Sequence, residues 1–245
     1  MTYYNLGCAQ QEVGKLTEAI SCYKEALLLN PNHVDSSYNL GNALQEKNFI
    51  DEAERCYKQT IALKPNHHMA YYNLGYLYQD RGRMDLSIES FRTAAKIEPN
   101  DVDTLINLGL ALKHDGQFAE ATQAYKRAIK ADPLCTMAYF NLGNVYQDMK
   151  DFDKAIKCFE EVLTQDSSHT DALFNLAVAL QDRALALSPR GPSSDDMDVA
   201  GWYRDLNRAL GYYETVYKVV PDIEEAKVAA GQLREVLRTD QLMRK

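Results

Sequence analysis

Six asparagines, Asn5, Asn39, Asn73, Asn107, Asn141 and Asn175, stand 34 residues apart along the chain. A carboxamide carries donors and an acceptor, so one such side chain can pair with both the N–H and the C=O of another polypeptide's backbone. One residue earlier runs a row of ring-bearing or aliphatic residues: Tyr4, Tyr38, Tyr72, Ile106, Phe140 and Phe174. A glutamine row (Gln11, Gln45, Gln79, Gln147, Gln181) and an acidic row (Glu12, Glu46, Asp80, Asp148, Asp182) keep the same step, broken by Lys113 and His114. Asp35, Asp103 and Asp171 recur in alternate copies. These types suit recognition of a polypeptide, with the carboxylates favouring Lys, Arg, Ser or Thr in the ligand. The competing reading makes each asparagine a bridge between helices of one stack and each charge row a solvated face.

Other reactive residues do not build a site. His33, His67 and His169 fall in turns one or more repeats apart, His68 follows in the same turn as His67, and His114 ends a helix. Metal binding needs donors converging on one point. Cys22, Cys56 and Cys158 share one repeat position and read as small packing residues. Cys135 lacks an orienting third group for a Cys–His nucleophile. The sequence has no Walker loop, GxGxxG or HExxH. The expectation is a protein without catalysis, cofactor or metal.

The elements that must position the rows announce themselves by period. Pro31, Pro65, Pro99 and Pro133 are 34 residues apart, as are Gly7, Gly41, Gly75, Gly109 and Gly143, and Leu6, Leu40, Leu74, Leu108, Leu142 and Leu176. Unlike residue types sharing one period define an array of repeats. Within the third copy, helical apolar spacing runs over Tyr71–Asp80 and Met84–Ile97. Gly14, Asn48, Gly82 or Gly116 stands between such helices and suits a left-handed turn, with Lys150 as the exception. Pro-Asn then stops the second helix. Packed helices lie roughly 8–10 Å apart and an extended chain advances about 3.3 Å per residue, so one asparagine per repeat meets about every third residue of an extended peptide.

Composition narrows the partners. With 27 basic and 35 acidic residues the chain carries a net charge of −8, and 46% of it is hydrophobic. An acidic folded protein repels nucleic acid and anionic membrane surfaces, and no apolar run is long enough for membrane insertion. Five cysteines, an odd number without CxxC spacing, fit reduced thiols in the cytoplasm, or in the nucleus.

The 34-residue unit resembles the tetratricopeptide repeat. The third copy has Tyr71-Tyr72-Asn73-Leu74-Gly75, then Tyr78, Ser87, Phe91, Ala94 and Pro99. The first has Leu6, Gly7, Ala19, Tyr23, Ala26 and Pro31; the fifth has Tyr139, Leu142, Gly143, Tyr146, Ala155 and Phe159, with Ser167 in place of proline. The resemblance implies an all-α, right-handed superhelical solenoid of helix-turn-helix repeats whose first helices line a concave groove. An unbroken asparagine row is also similar to the superhelical half of O-GlcNAc transferase and Spindly-type proteins. That likeness implies asparagines holding a substrate backbone and aspartates near the helix start adding contacts. The chain has no nucleotide-binding βαβ pattern of its own. The carboxylate clamp of heat-shock co-chaperones is not matched, because Tyr4, Met69 and Asn73 stand where cations would be needed.

The expected organisation is five repeats plus the first helix of a sixth over 1–180, an insertion with a flexible loop over 181–200, the second helix of the sixth repeat over 201–222, and a capping helix and tail over 223–245. Met1 already lies inside the first helix, which reads as the remnant of a longer protein or a shortened gene product. In the loop, Ser188-Pro189 and Ser193 with Asp196 resemble kinase acceptor sites, against the simpler reading of a loop whose Ser-Asp-Asp caps the next helix. The function expected is a non-catalytic scaffold that binds extended, basic or polar protein segments along an asparagine-lined groove. The peptide-binding residues are then the six asparagines with Tyr38, Tyr72, Phe140, Asp35, Asp103 and Asp171. Two alternatives stand beside it: the substrate-recognition fragment of an O-linked glycosyltransferase, and a structural protein that self-associates through its exposed first helix.

Overall fold

The structure, a computed structural model, describes residues 2–187 and 198–243. Among these the chain forms thirteen helices and no strand. They are α1 (Thr2–Glu12), α2 (Leu16–Leu29), α3 (Val34–Glu46), α4 (Ile50–Leu63), α5 (His68–Asp80), α6 (Met84–Ile97) and α7 (Val102–His114) in one compact unit, Met1–Gly116. The second unit, Gln117–Lys245, holds α8 (Phe118–Ala131), α9 (Thr136–Asp148), α10 (Phe152–Gln165), α11 (Thr170–Leu187), α12 (Val199–Val219) and α13 (Glu224–Met243). Within each unit every helix packs on the next, so repeats stack in sequence order, and α1 also touches α3, α5 touches α7 and α9 touches α11. Ser188, Ser193 and Asp196 lie outside the described residues; Asp198, which ends that stretch, caps α12 by accepting from the Gly201 N–H at 2.8 Å.

One contact repeats in the first, second, third and fifth hairpins. The odd-helix glycine lies on the ring of an even-helix aromatic, so closely that a Cβ at Gly41 would come within 2.7 Å of Tyr57 and one at Gly75 within 2.8 Å of Phe91. Tyr23, Tyr57, Phe91, Tyr125 and Phe159 are wholly buried. Burying such a ring stabilises the fold by about 1.5–3 kcal/mol, and the missing methyl of glycine is what lets the axes close. The leucine series serves the neighbouring interface: Leu40, Leu74, Leu108, Leu142 and Leu176 are at most 5% exposed, whereas Leu6 in α1 is 45% exposed.

The turns follow from backbone chemistry. Gly14, Asn48, Gly82, Gly116 and Lys150 all have positive φ, 60° at Lys150. Lys150 therefore adopts the left-handed geometry without being a glycine, a conformation that costs an L residue roughly 1–2 kcal/mol. In the sixth repeat the same position is Ala184, which is buried and helical, and α11 runs on to Leu187. The overshoot is fixed by Arg183, whose guanidinium grips the buried Asp205 of α12 through two bonds, 2.7 and 2.8 Å, and reaches Asp153 of α10.

The turn histidines turn out to be helix caps. Nδ1 of His33, His67 and His169 accepts the backbone N–H of Ser36, Ala70 and Ala172 at 3.1–3.2 Å, and Asp101 does the same for Thr104 in the fourth repeat. This is why α5 starts at His68, three residues before the apolar periodicity at Tyr71 suggests. Burial, aided by Lys64, lowers the pKa of His67 below the ordinary histidine value. A depressed folded pKa means the unfolded chain takes up the proton first. The contribution is thus full above the unfolded value of about 6.5 and lost as pH falls through the lower folded value. Thermal melts should show stability declining from pH 7.5 to 5.5, and His67→Asp, the solution used at Asp101, should lessen the decline; an unchanged pH dependence would remove the cap from the account.

Candidate functional site

The asparagine row sits on the odd helices, and the structure shows where its amides go. Nδ2 of Asn73 donates to Asn42 Oδ1 at 2.8 Å and to the Tyr38 hydroxyl at 3.3 Å, both in the preceding repeat. Asn107 donates to the Tyr72 hydroxyl at 3.1 Å and to the Asp103 carbonyl at 2.9 Å. Asn175 donates to Asn144 Oδ1 at 2.8 Å, and Asn39 to Cys8 Sγ at 3.7 Å. The partner lies 31 or 35 residues back in each inter-repeat bond. For Asn141 those two positions are Leu110 and Ile106, which have no hydrogen-bonding side-chain group. Asn5 is exposed. In four of the six asparagines, then, amide hydrogens serve the stack, which leaves the row to offer a ligand mainly carbonyl oxygens.

Tyr38, Tyr72 and Phe140 are half-buried and pack inward. Their ring centroids lie 6.1, 5.7 and 6.0 Å from Tyr57, Phe91 and Phe159; His67 lies tilted against Tyr38 at 4.7 Å, and His169 stacks on Phe140 at 5.2 Å. The glutamine row also points into the hairpins. Tyr23, Tyr57 and Tyr213 donate to Gln11, Gln45 and Gln181 at 2.8, 2.6 and 3.0 Å. Where the even helix has Phe91, no hydroxyl is available, and the buried Gln79 Oε1 has no partner. Sequence reasoning missed this pairing; its trace was the alternation of Tyr and Phe along positions 23, 57, 91, 125 and 159.

The carboxylates are the groups left facing solvent. Asp35, Asp103 and Asp171 are exposed in the first turns of α3, α7 and α11, where the positive end of the helix dipole favours an anion. Glu12, Glu46, Asp80 and Asp148 are different: each is the last residue of its helix, at the negative dipole end, and each is exposed. Together with Asp182 these are the acidic residues of α1 to α11 among the odd helices, against Lys113 and Arg183, while the even helices α2 to α12 carry equal numbers of acidic and basic residues.

The cysteines carry no such chemistry. Burial pushes the Cys56 and Cys158 thiols up to about 11, so at neutral pH they stay protonated packing groups. Among the described residues no three His, Cys, Asp or Glu side chains converge as a metal site would require, and no described helix is long and apolar enough to cross a membrane. Phe91→Tyr should supply the donor that Gln79 lacks and raise unfolding free energy by about 1 kcal/mol in urea titrations; a destabilised variant would show that the third hairpin has no room for the hydroxyl.

Comparison with known proteins agrees with this geometry. Tetratricopeptide repeat family models match residues 1–33, 38–102, 102–135 and 137–169. No curated protein sequence matches the chain. Among solved structures, YrrB, described as a TPR protein with an unusual peptide-binding site, is similar with a TM-score of 0.68 at 22% identity, covering 84% of this chain and 96% of its own. PilF of Pseudomonas aeruginosa gives 0.67 at 14% identity, covering 96% of each chain. MamA of Desulfovibrio magneticus RS-1 gives 0.63 at 24% identity, covering 69% of this chain and 95% of its own. Repeat period, paired helices and matched segments converge, and the chain belongs to the tetratricopeptide repeat family.

Proposed function

We propose that the chain is a protein-interaction module that holds an extended, cationic segment of a partner polypeptide on the face of its odd-numbered helices. The observation that carries the reading is the row of carboxylates at the C-terminal ends of α1, α3 and α5 in the first unit. An anion there works against the helix dipole, by about 0.3–1 kcal/mol at an exposed position, so folding alone gives no reason for the row. A ligand rich in N–H donors does give one.

The asparagines add to the same surface in a modified way. With Nδ2 of Asn73 and Asn107 committed to neighbouring groups, their Oδ1 atoms are acceptors for a ligand's N–H groups. Acceptor oxygens from amides and carboxylates together favour backbone N–H, lysine, arginine and hydroxyl donors. Asn141, whose equivalent partner positions are apolar, keeps both donor and acceptor capacity for recognition. Each contact is solvent-exposed and individually weak, so affinity grows with the number of repeats engaged and falls with salt.

Fluorescence anisotropy with an arginine/serine peptide and a glutamate/serine peptide of equal length tests the reading. The first should bind more tightly, with the difference shrinking as ionic strength rises. In the double variant Glu46→Lys with Asp80→Lys, binding of the basic peptide should fall by about ten-fold, while the melting temperature holds or rises because two unfavourable dipole terms are removed. Equal binding of the two peptides, or unchanged affinity in the variant, would end the proposal. Asn73→Ala and Asn141→Ala separate the two asparagine roles: the first should lose about 1–2 kcal/mol of stability with its inter-repeat bonds, the second should lose peptide binding and keep its melting temperature.

A further inference from the structure

The overshoot of α11 creates a feature that α3, α5, α7 and α9 lack. Those four helices are 13 residues long, whereas α11 has 18. Its extra turn stands over the α9–α10 connection and closes one side of an open hollow of about 420 Å³. Phe152 and Leu185 give the hollow apolar walls, and Asp148 and Asp182 give it carboxylates, with Lys150 at the turn. Leu185 is 40% exposed and Met149, next to the lining residue Asp148, is 46% exposed, so the surroundings are apolar surface that the fold itself does not cover.

Asp182 sets the chemistry. It is half-buried, and among the described residues no hydrogen bond or ion pair compensates it. Arg183, its neighbour in sequence, is occupied by Asp205 and Asp153. Burial alone raises the pKa of Asp182 above the usual carboxylate range, the sign of a desolvated anion lacking a counter-charge. The same Arg183 clamp keeps the wall rigid, because Asp205 is buried and the guanidinium is held at both of its oxygens.

We infer that this hollow is a side-chain pocket of the peptide-binding face, selecting one arginine, its aliphatic stem against Phe152 and Leu185 and its guanidinium on Asp182. Arginine fits better than lysine because a planar fork with several donors meets a carboxylate bidentately and its weakly hydrated head tolerates an apolar rim. The pocket rests on the reading that the odd helices bind an extended cationic segment, and it adds a fixed register to a surface otherwise tolerant of sequence.

Short serine/threonine/glycine peptides that carry two flanking lysines and differ at one central position, arginine, lysine, norleucine or glutamate, provide the test by anisotropy on the full chain. The central-arginine peptide should bind roughly ten-fold tighter than the norleucine peptide. Asp182→Asn should abolish that preference, bringing the arginine peptide down to the affinity of the norleucine peptide, and Lys150→Gly, which removes the competing cation and the left-handed strain together, should enlarge it. Binding that ignores the central residue would overturn the pocket and leave the acidic face standing. A preference that survives Asp182→Asn would also overturn it, and failure of all four peptides to bind would overturn both. Melting curves of each variant confirm that a lost preference is not lost folding.

Discussion

The structure depends on the absence of a methyl group. In hairpin after hairpin a glycine of the odd helix rests on a buried ring of the even helix, and a Cβ would come within 2.6–2.8 Å of the ring atoms. From that approach follow the ring pairs at about 6 Å, and beside them lies the buried leucine series from Leu40 to Leu176. The sixth repeat keeps the ring pair, Phe174 with Tyr213 at 5.6 Å, although Ala177 replaces the glycine there. Close packing of this kind tolerates little change in volume, so the surface that the odd helices present is set by the core beneath it.

Polar side chains then join neighbours. Asparagine donors reach back to the previous repeat, and tyrosine hydroxyls are paid off by glutamines within their own hairpin. Each bond stays within one repeat or joins adjacent repeats, which is the condition for stability to be a sum of local terms along an array. A residue that looks like a binding group by type can therefore be structural by placement, while the carboxylates at helix ends, which the helix dipole disfavours, stay exposed.

Much of the fold was legible because its constraints act through single residues at a fixed step. Pro31, Pro65, Pro99 and Pro133 marked the ends of even helices, and the glycine and leucine columns marked the interfaces. Lys150 was visible as the exception at the turn and does take positive φ. The destination of the amides was not legible, because their acceptors are split between two columns of mixed type, Cys8, Asn42 and Asn144 in one and Tyr38 and Tyr72 in the other, and both columns include apolar residues in later repeats. The capping histidines were seen as turn residues and missed as acceptors, since Asp101 and Cys135 interrupt their column. The pocket beside α11 was hidden for a similar reason: an alanine at 184 is an ordinary helix residue until its place in the turn series is noticed.

Ring pairing in the last hairpin has a wider consequence. Phe174 and Tyr213 meet as their counterparts do although they stand 39 positions apart in the chain, where Phe140 and Phe159 stand 19 apart. Docking of the two helices is thus indifferent to how much chain joins their far ends. That junction is a natural splice port: cargo sequences, affinity tags or a sensor cassette could be grafted there while the hairpin below keeps its register.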